Sequence, residues 1–471
     1  MAVITVSILG GNWNSATTWV GGVVPNATLD TVAFTATSGN LTVNVSSTCI
    51  GIDFTNYVNT ITFNSLLTVN GPVNLGTGGY TQAGTSGIQV AATATLTSGG
   101  VTWSSLWTFA GGGIFTLADN FNFTGALNFS NSGGISINGN TINTSNLTST
   151  TASTTSGTTN IVFNGTGTWS NSSIGVIRNN ININTAGTLT IGTNVYYNTG
   201  ILTYTAGTVV TTGSTLNIGA STTLNTSGMT WNNVTITTGT QTLTSDLNCQ
   251  NLTSGGGGTN TINGLFNINV SGNLTANGIV LGTSTIVLMG TGLWTATNSS
   301  NTFRTPIIIN TNGIITLANS LTHDGDLTYI KGIVKSNNTT ISFGATIKTL
   351  KGLNKIIFKN VIITAGGTIT MNEFFSGSPS LVTNISSTSA STYTIAFQDE
   401  FEKISKFVNI SNCTLSKPLQ LLVLTNSKRN LTNLGVRYIN QSPNGIAKNN
   451  PSTTNQTTYN SQMLINDPGM K

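Results

Sequence analysis

Ile161-Val-Phe-Asn-Gly-Thr-Gly-Thr-Trp169 returns 125 residues later as Ile286-Val-Leu-Met-Gly-Thr-Gly-Leu-Trp294. Composition alone does not generate a match of this length with the same turn residues, and in repeat proteins the period decides the architecture. The register holds downstream. Ile183-Asn-Thr-Ala-Gly-Thr-Leu-Thr190 returns as Ile309-Asn-Thr-Asn-Gly-Ile-Ile-Thr316, and Leu202-Thr-Tyr204 as Leu327-Thr-Tyr329. Leu216-Asn-Ile-Gly-Ala220 returns as Ile341-Ser-Phe-Gly-Ala345, and Asn233-Val-Thr-Ile236 as Asn360-Val-Ile-Ile363. An earlier copy shows in Gly100-Val-Thr-Trp103 against Gly228-Met-Thr-Trp231, Ile137-Asn-Gly139 against Ile262-Asn-Gly264, and Asn146-Leu-Thr148 against Asn273-Leu-Thr275. Three tandem units of about 125 residues follow, at 36–160, 161–285 and 286–397.

Within each unit, stretches such as Thr188-Leu-Thr-Ile191 and Val234-Thr-Ile-Thr237 alternate apolar and polar residues between Gly, Asn-Gly and Thr-Gly punctuation. These are the marks of short strands joined by tight turns. Apolar stripes recurring at roughly 20 to 27 residues predict an all-β, elongated β-solenoid, a parallel β-helix with about five coils per unit. At a coil spacing of about 4.8 Å the rod should be on the order of 70 Å long.

The composition agrees. Charged residues make up 6% of the chain against an expected share of about 25%. Yet 37% of residues are hydrophobic, enough for a core, and only three are Glu, so helix is not expected before residue 398. Stacked Asn and Thr ladders along a rod would leave little need for surface charge. Cys49, Cys249 and Cys413 are too far apart for a zinc site or a disulfide framework. The amino terminus carries an apolar stretch without the basic flank or cleavage site of a secretory signal, and no segment is long enough to span a membrane.

Residues 1–35 read as an amino-terminal cap, needed because a bare first coil exposes a strand edge and an apolar end. The spacing of Trp13, Trp19, Gly21-Gly22, Pro25, Asp30 and Val32, followed by Leu41-Thr-Val-Asn44, resembles the start of G8-type domains and of capped β-helix proteins on cell surfaces and phage particles. That resemblance covers about fifty residues. The Thr/Asn/Gly-rich repeat, with phrases like Tyr204-Thr-Ala-Gly-Thr-Val209, resembles structural proteins of bacteriophages and large viruses. It implies a role on the particle surface. Residues 398–471 read as a terminal coil or cap followed by a flexible or partner-docking tail.

Catalytic candidates are few. His323, Asp324 and Asp326 group the only histidine with two carboxylates, which could suit acid/base or metal chemistry. They replace Asn198, Thr199 and Ile201 of the preceding copy around a shared glycine, which favours a drifted corner turn. Asp399, Glu400 and Glu402 are followed by lysines and read as local ion pairs. Polysaccharide-cleaving β-helices need paired carboxylates, whereas Asp30, Asp53, Asp119 and Asp246 lie far apart in sequence. The recurring Trp103, Trp169, Trp231 and Trp294 suit packing better than a sugar-stacking stripe. No catalytic residue, metal ligand or cofactor site is therefore expected.

Charge is one-sided: residues 1–300 hold four acids and one base, Arg178, while residues 301–471 hold seven acids and fifteen bases. Lys331, Lys335, Lys348, Lys351, Lys355 and Lys359 of the third copy mostly replace uncharged residues, so the fold does not require them. They are the candidate contact with an anionic surface; without flanking aromatics they do not favour a nucleic-acid site. The expected function is a non-enzymatic virion structural protein, a fibre, spike or surface decoration that contacts a host glycan or protein. Its expected partners are copies of itself, a trimer among the options, and other virion proteins, with no membrane insertion. A bacterial surface adhesin is the alternative, a polysaccharide-degrading tailspike enzyme comes after it, and an ice-binding solenoid would need Thr-x-Thr aligned through many coils.

Overall fold

The computed structural model describes residues 2–352, apart from 26–28, 132–134, 137–138, 151–159, 174–175, 255–258, 298–301, 337–338 and 345–347, and beyond them separate strands as far as Val436–Ile439. The described residues contain no α-helix, only one 3-10 turn at Ala16–Thr18. The pairings between the described strands are parallel, and most strands pair with the one a coil earlier and the one a coil later. One coil shows the plan. Thr259–Asn263 lies on a first face, Asn267–Val270 on a second and Leu274–Ala276 on a third, before Ile279–Leu281 returns to the first. Alternation turns every second side chain inward, as the buried Ile268 and Val270 between outward Asn267 and Asn269 show.

The repeat does not coincide with the coil. Along the first face, Asn160–Phe163 is followed by Asn180–Ile191, Gly200–Val210, Thr222–Asn225, Gly239–Leu243, Thr259–Asn263 and Ile279–Leu281, each paired with the next. Those are six coils, each of roughly 20 residues, the short end of the range that solenoid repeats span. Ile286, the counterpart of Ile161, comes next in the chain and lies on the second face, paired with Ile268. A unit therefore spans six coils and one further face, and each unit is turned by a third of a revolution against the one before. The earlier copy obeys the same rule: Trp103 is on the first face and Trp231 on the second, Leu147 on the second and Leu274 on the third.

The expected five coils per unit are thus too few and too long, because the apolar stripes of neighbouring faces blur together in a linear reading. With about 4.8 Å per coil, a unit advances about 30 Å and three units roughly 90 Å.

Equivalent corners are built alike. Asn180–Ile191 and Ile307–Leu317 each run through two faces and break register at the bend. In the first, Thr185 Oγ1 donates to the Gly165 carbonyl at 2.8 Å and accepts from Gly187 N; in the second, Thr311 Oγ1 donates to the Gly290 carbonyl at 2.8 Å and accepts from Gly313 N. In the next coil, Tyr204 donates to the Gly207 carbonyl and Tyr329 to that of Gly332, both at 2.7 Å. Gly207 and Gly332 have φ of 112° and 122°, and a Cβ at either would strike the preceding coil's threonine.

At the amino-terminal end, Trp13 and Trp19 are buried edge to face, 5.0 Å apart, with the Trp19 indole donating to the Trp13 carbonyl at 2.7 Å. Ala2–Thr5 is already a rung of the third face, paired with Asp30–Ala33. The expected Asn ladders occur in short runs, such as Asn143 to Asn122 at 2.8 Å and Asn251 to Asn233 at 2.8 Å.

If the unit is a screw of six coils and one face, removing residues 161–285 joins equivalent positions and leaves the ladder continuous. The shortened chain is expected to fold with an unchanged β-rich circular dichroism spectrum and to be about 30 Å shorter by small-angle X-ray scattering. An unfolded or aggregated product would contradict the screw.

Candidate functional site

The His323 group does not converge. His323 lies on a first-face strand and points into the core, fully buried, in register between Phe303 and Phe343. Its ring meets Trp294 edge to face with centroids 5.7 Å apart, and Nε2 lies 3.1 Å from the Asp326 carbonyl, an acceptor that requires the proton on Nε2. Asp324, just past the end of that strand, turns away from the core and pairs with Arg304 at 3.7 Å. Asp326 turns its carboxylate to the following coil and accepts from Thr349 N at 2.6 Å. The three side chains thus point to the core, the first face and the next coil.

The other carboxylates work the same way. Asp119 accepts from Ser98 N and Gly99 N of the preceding coil at 2.7 and 2.8 Å, and Asp246 from Asn267 N of the following coil at 2.9 Å. Asp53 accepts from Thr55 within its own turn and from Asn74 one coil on. Asp30 and Asp53 fall on adjacent coils but at opposite ends of their strands. Asp53, Asp119, Asp246 and Asp326 each staple a corner, satisfying backbone N–H groups that the ladder leaves over. Among the described residues, no three His, Cys, Asp or Glu side chains gather as a metal site would require. A shallow depression of about 240 Å³ on the first face is lined by Asn160, Val162, Asn180, Asn182, Ile201 and Thr203, with no titratable group.

The recurring tryptophans are core. Trp103, Trp169 and Trp231 are fully buried and Trp294 nearly so, and successive copies occupy successive faces, so they form no stripe.

The third-unit lysines behave differently. Lys331 stands at the corner between the second and third faces, where Nζ donates to Asn312 Oδ1 at 2.8 Å; Lys335 is on the third face and Lys351 on the second, and all three are exposed. Lys348 belongs to the strand Lys348–Lys351, but its side chain lies outside the described residues. Lys355, Lys359, Asp399, Glu400, Glu402 and residues 440–471 also lie outside them. The only ion pair among the described residues is that of Arg304 with Asp324, so no carboxylate neutralises Lys331, Lys335 or Lys351 there. The structure adds what the linear reading did not single out: exposed Met289, Leu293, Ile330 and Ile333 around the same corner. The signal was present, because each replaces a polar residue of the second copy, but only the face assignment shows that these positions point outward.

Comparison with protein-family models, curated proteins and solved structures finds no match.

Cys49 and Cys249 are buried, and loss of solvent pushes both thiols up to about 12. A raised folded-state value keeps them as unreactive thiols at pH 8. Iodoacetamide at that pH is expected to leave both unmodified in the native chain and to label both after unfolding, as read by peptide mass spectrometry. Labelling of either in the native chain would show that its coil is open.

Proposed function

We propose that this chain is a non-enzymatic structural rod of a virus or phage particle, a fibre, spike or surface decoration that carries a contact surface for the host. The observation that carries the reading is a parallel ladder extending unit after unit with an almost uncharged coat, followed by a third unit that alone presents exposed lysines. A rod whose length is set by counting units is a spacer, and the unit that departs from its siblings is where a contact would be made. The buried histidine and the stapling carboxylates support a structural role, since each serves a turn or the core. Self-association into a trimer and docking on other particle proteins belong to the proposal.

Mass spectrometry of density-purified particles from the source culture tests it. The expected result is the chain at fixed stoichiometry with known particle proteins. Its absence from particles, with recovery on the cell surface, would overturn the proposal in favour of an adhesin.

A further inference from the structure

The second and third units provide a comparison inside one molecule. Their corners share the same threonine, glycine and tyrosine hydrogen bonds, so backbone geometry is held constant between them. The outward side chains are not. Asn164 and Thr168 become Met289 and Leu293 in one coil, and Thr188 becomes Ile314 in the next. In the third coil Thr205 and Thr208 become Ile330 and Ile333, while Ala206 and Val210 become Lys331 and Lys335. The fold tolerates the polar set in the second unit, so it does not demand the apolar set in the third.

These replacements fall on three consecutive coils, paired through Leu288, Ile309 and Tyr329. Met289 and Ile330 stand at the bend, and Leu293 and Ile333 at the start of the third face; the four are 48%, 51%, 45% and 56% exposed. Exposed apolar residues scattered singly need no explanation, but a cluster at one corner marks a contact. Two features define what it contacts. The corner of a solenoid is convex, so these side chains project as a ridge and offer no groove to a protein segment. The lysines interleave with the isoleucines in Ile330-Lys331-Gly332-Ile333-Val334-Lys335, so the partner presents negative charge beside apolar depth. A second copy of this ridge would set lysine against lysine.

We infer that the ridge formed by Met289, Leu293, Ile330 and Ile333 with Lys331 and Lys335 docks peripherally on an anionic lipid surface, its apolar side chains entering the headgroup boundary and its lysines contacting the anionic headgroups. The arrangement is that of an interfacial anchor: shallow apolar insertion combined with basic charge. It is distinct from a membrane span, and among the described residues no helix is long and apolar enough for one. The inference rests on the reading of the third unit as the contact part of a surface rod.

Co-sedimentation of the full chain with vesicles of phosphatidylcholine alone, or of phosphatidylcholine with phosphatidylglycerol, tests it. Binding is expected only to the anionic vesicles and is expected to weaken with salt. The variant Lys331→Ala with Lys335→Val, carrying the second unit's residues, is expected to bind roughly 30-fold more weakly. Leu293→Thr with Ile330→Thr and Ile333→Thr is expected to lose more than about tenfold. Both variants place residues that the second unit already accommodates, and circular dichroism checks that they fold. No binding to anionic vesicles at low salt, or binding unchanged in both variants, would overturn the inference. So would a dimer seen by sedimentation velocity that the Leu293, Ile330 and Ile333 variant abolishes, because a second copy would then occupy the ridge. Recovery of the chain in purified particles alongside failed vesicle binding would leave the rod reading standing and remove only the lipid contact.

Discussion

The parallel backbone ladder is the constraint from which the rest of this molecule follows. Along the described ladders most strands give their N–H and C=O groups to the coil before and the coil after, which leaves few open strand edges along the rod. What remains for the side chains is a period of two, inward or outward, and the inward set only has to be apolar and to match its neighbours along the column. That is why so biased a composition suffices: Thr and Asn cover the outside, and acids such as Asp119, Asp246 and Asp326 serve corners where the ladder leaves an N–H over. It is also why the first coil needs Trp13 and Trp19 folded over it.

The coil does not divide evenly into the repeat unit, and the mismatch has a structural result. Every unit repeats its sequence on the next face, so a corner motif is displayed in successive directions around the axis at intervals of about 30 Å. The bend held by Thr185 and the bend held by Thr311 are the same device pointing two ways. Duplication of this kind supplies redundant corners, and a redundant corner can change its outward residues without cost to the core, as the replacement of Thr205 and Thr208 by Ile330 and Ile333 illustrates.

Much of this was legible in the chain itself. Alternation, turn residues and the return of Ile161–Trp169 as Ile286–Trp294 suffice for an all-β solenoid, because inward and outward positions follow directly from sequence parity. The coil length was not legible, since neighbouring strands on different faces carry the same pattern and nothing in the order of residues tells a new face from a new coil. The lysines could be singled out by charge, but the apolar ridge beside them could not: Met289 follows the end of the strand Thr285–Leu288 and Ile330 falls where the register between coils shifts, so strand parity does not carry through to either. His323 reads in the sequence as part of a corner turn, but it closes the strand Leu321–His323 and points into the core, and its place in the column of Phe303 and Phe343 required the register between coils.

The length of the coil is the central claim, because face assignment, screw and ridge all derive from it. Paired cysteines test it directly, since neighbouring rungs bring Cα atoms within disulfide range and other positions do not. Thr223 and Thr242 are register partners on adjacent first-face strands, whereas Asn248, a little further along the chain, lies on the second face. Oxidation of the Thr223→Cys, Thr242→Cys chain is expected to give an intramolecular disulfide in high yield, and the Thr223→Cys, Asn248→Cys chain none. The reverse outcome would mean the longer coil that five turns per unit require, and would contradict the three-faced screw described for this molecule.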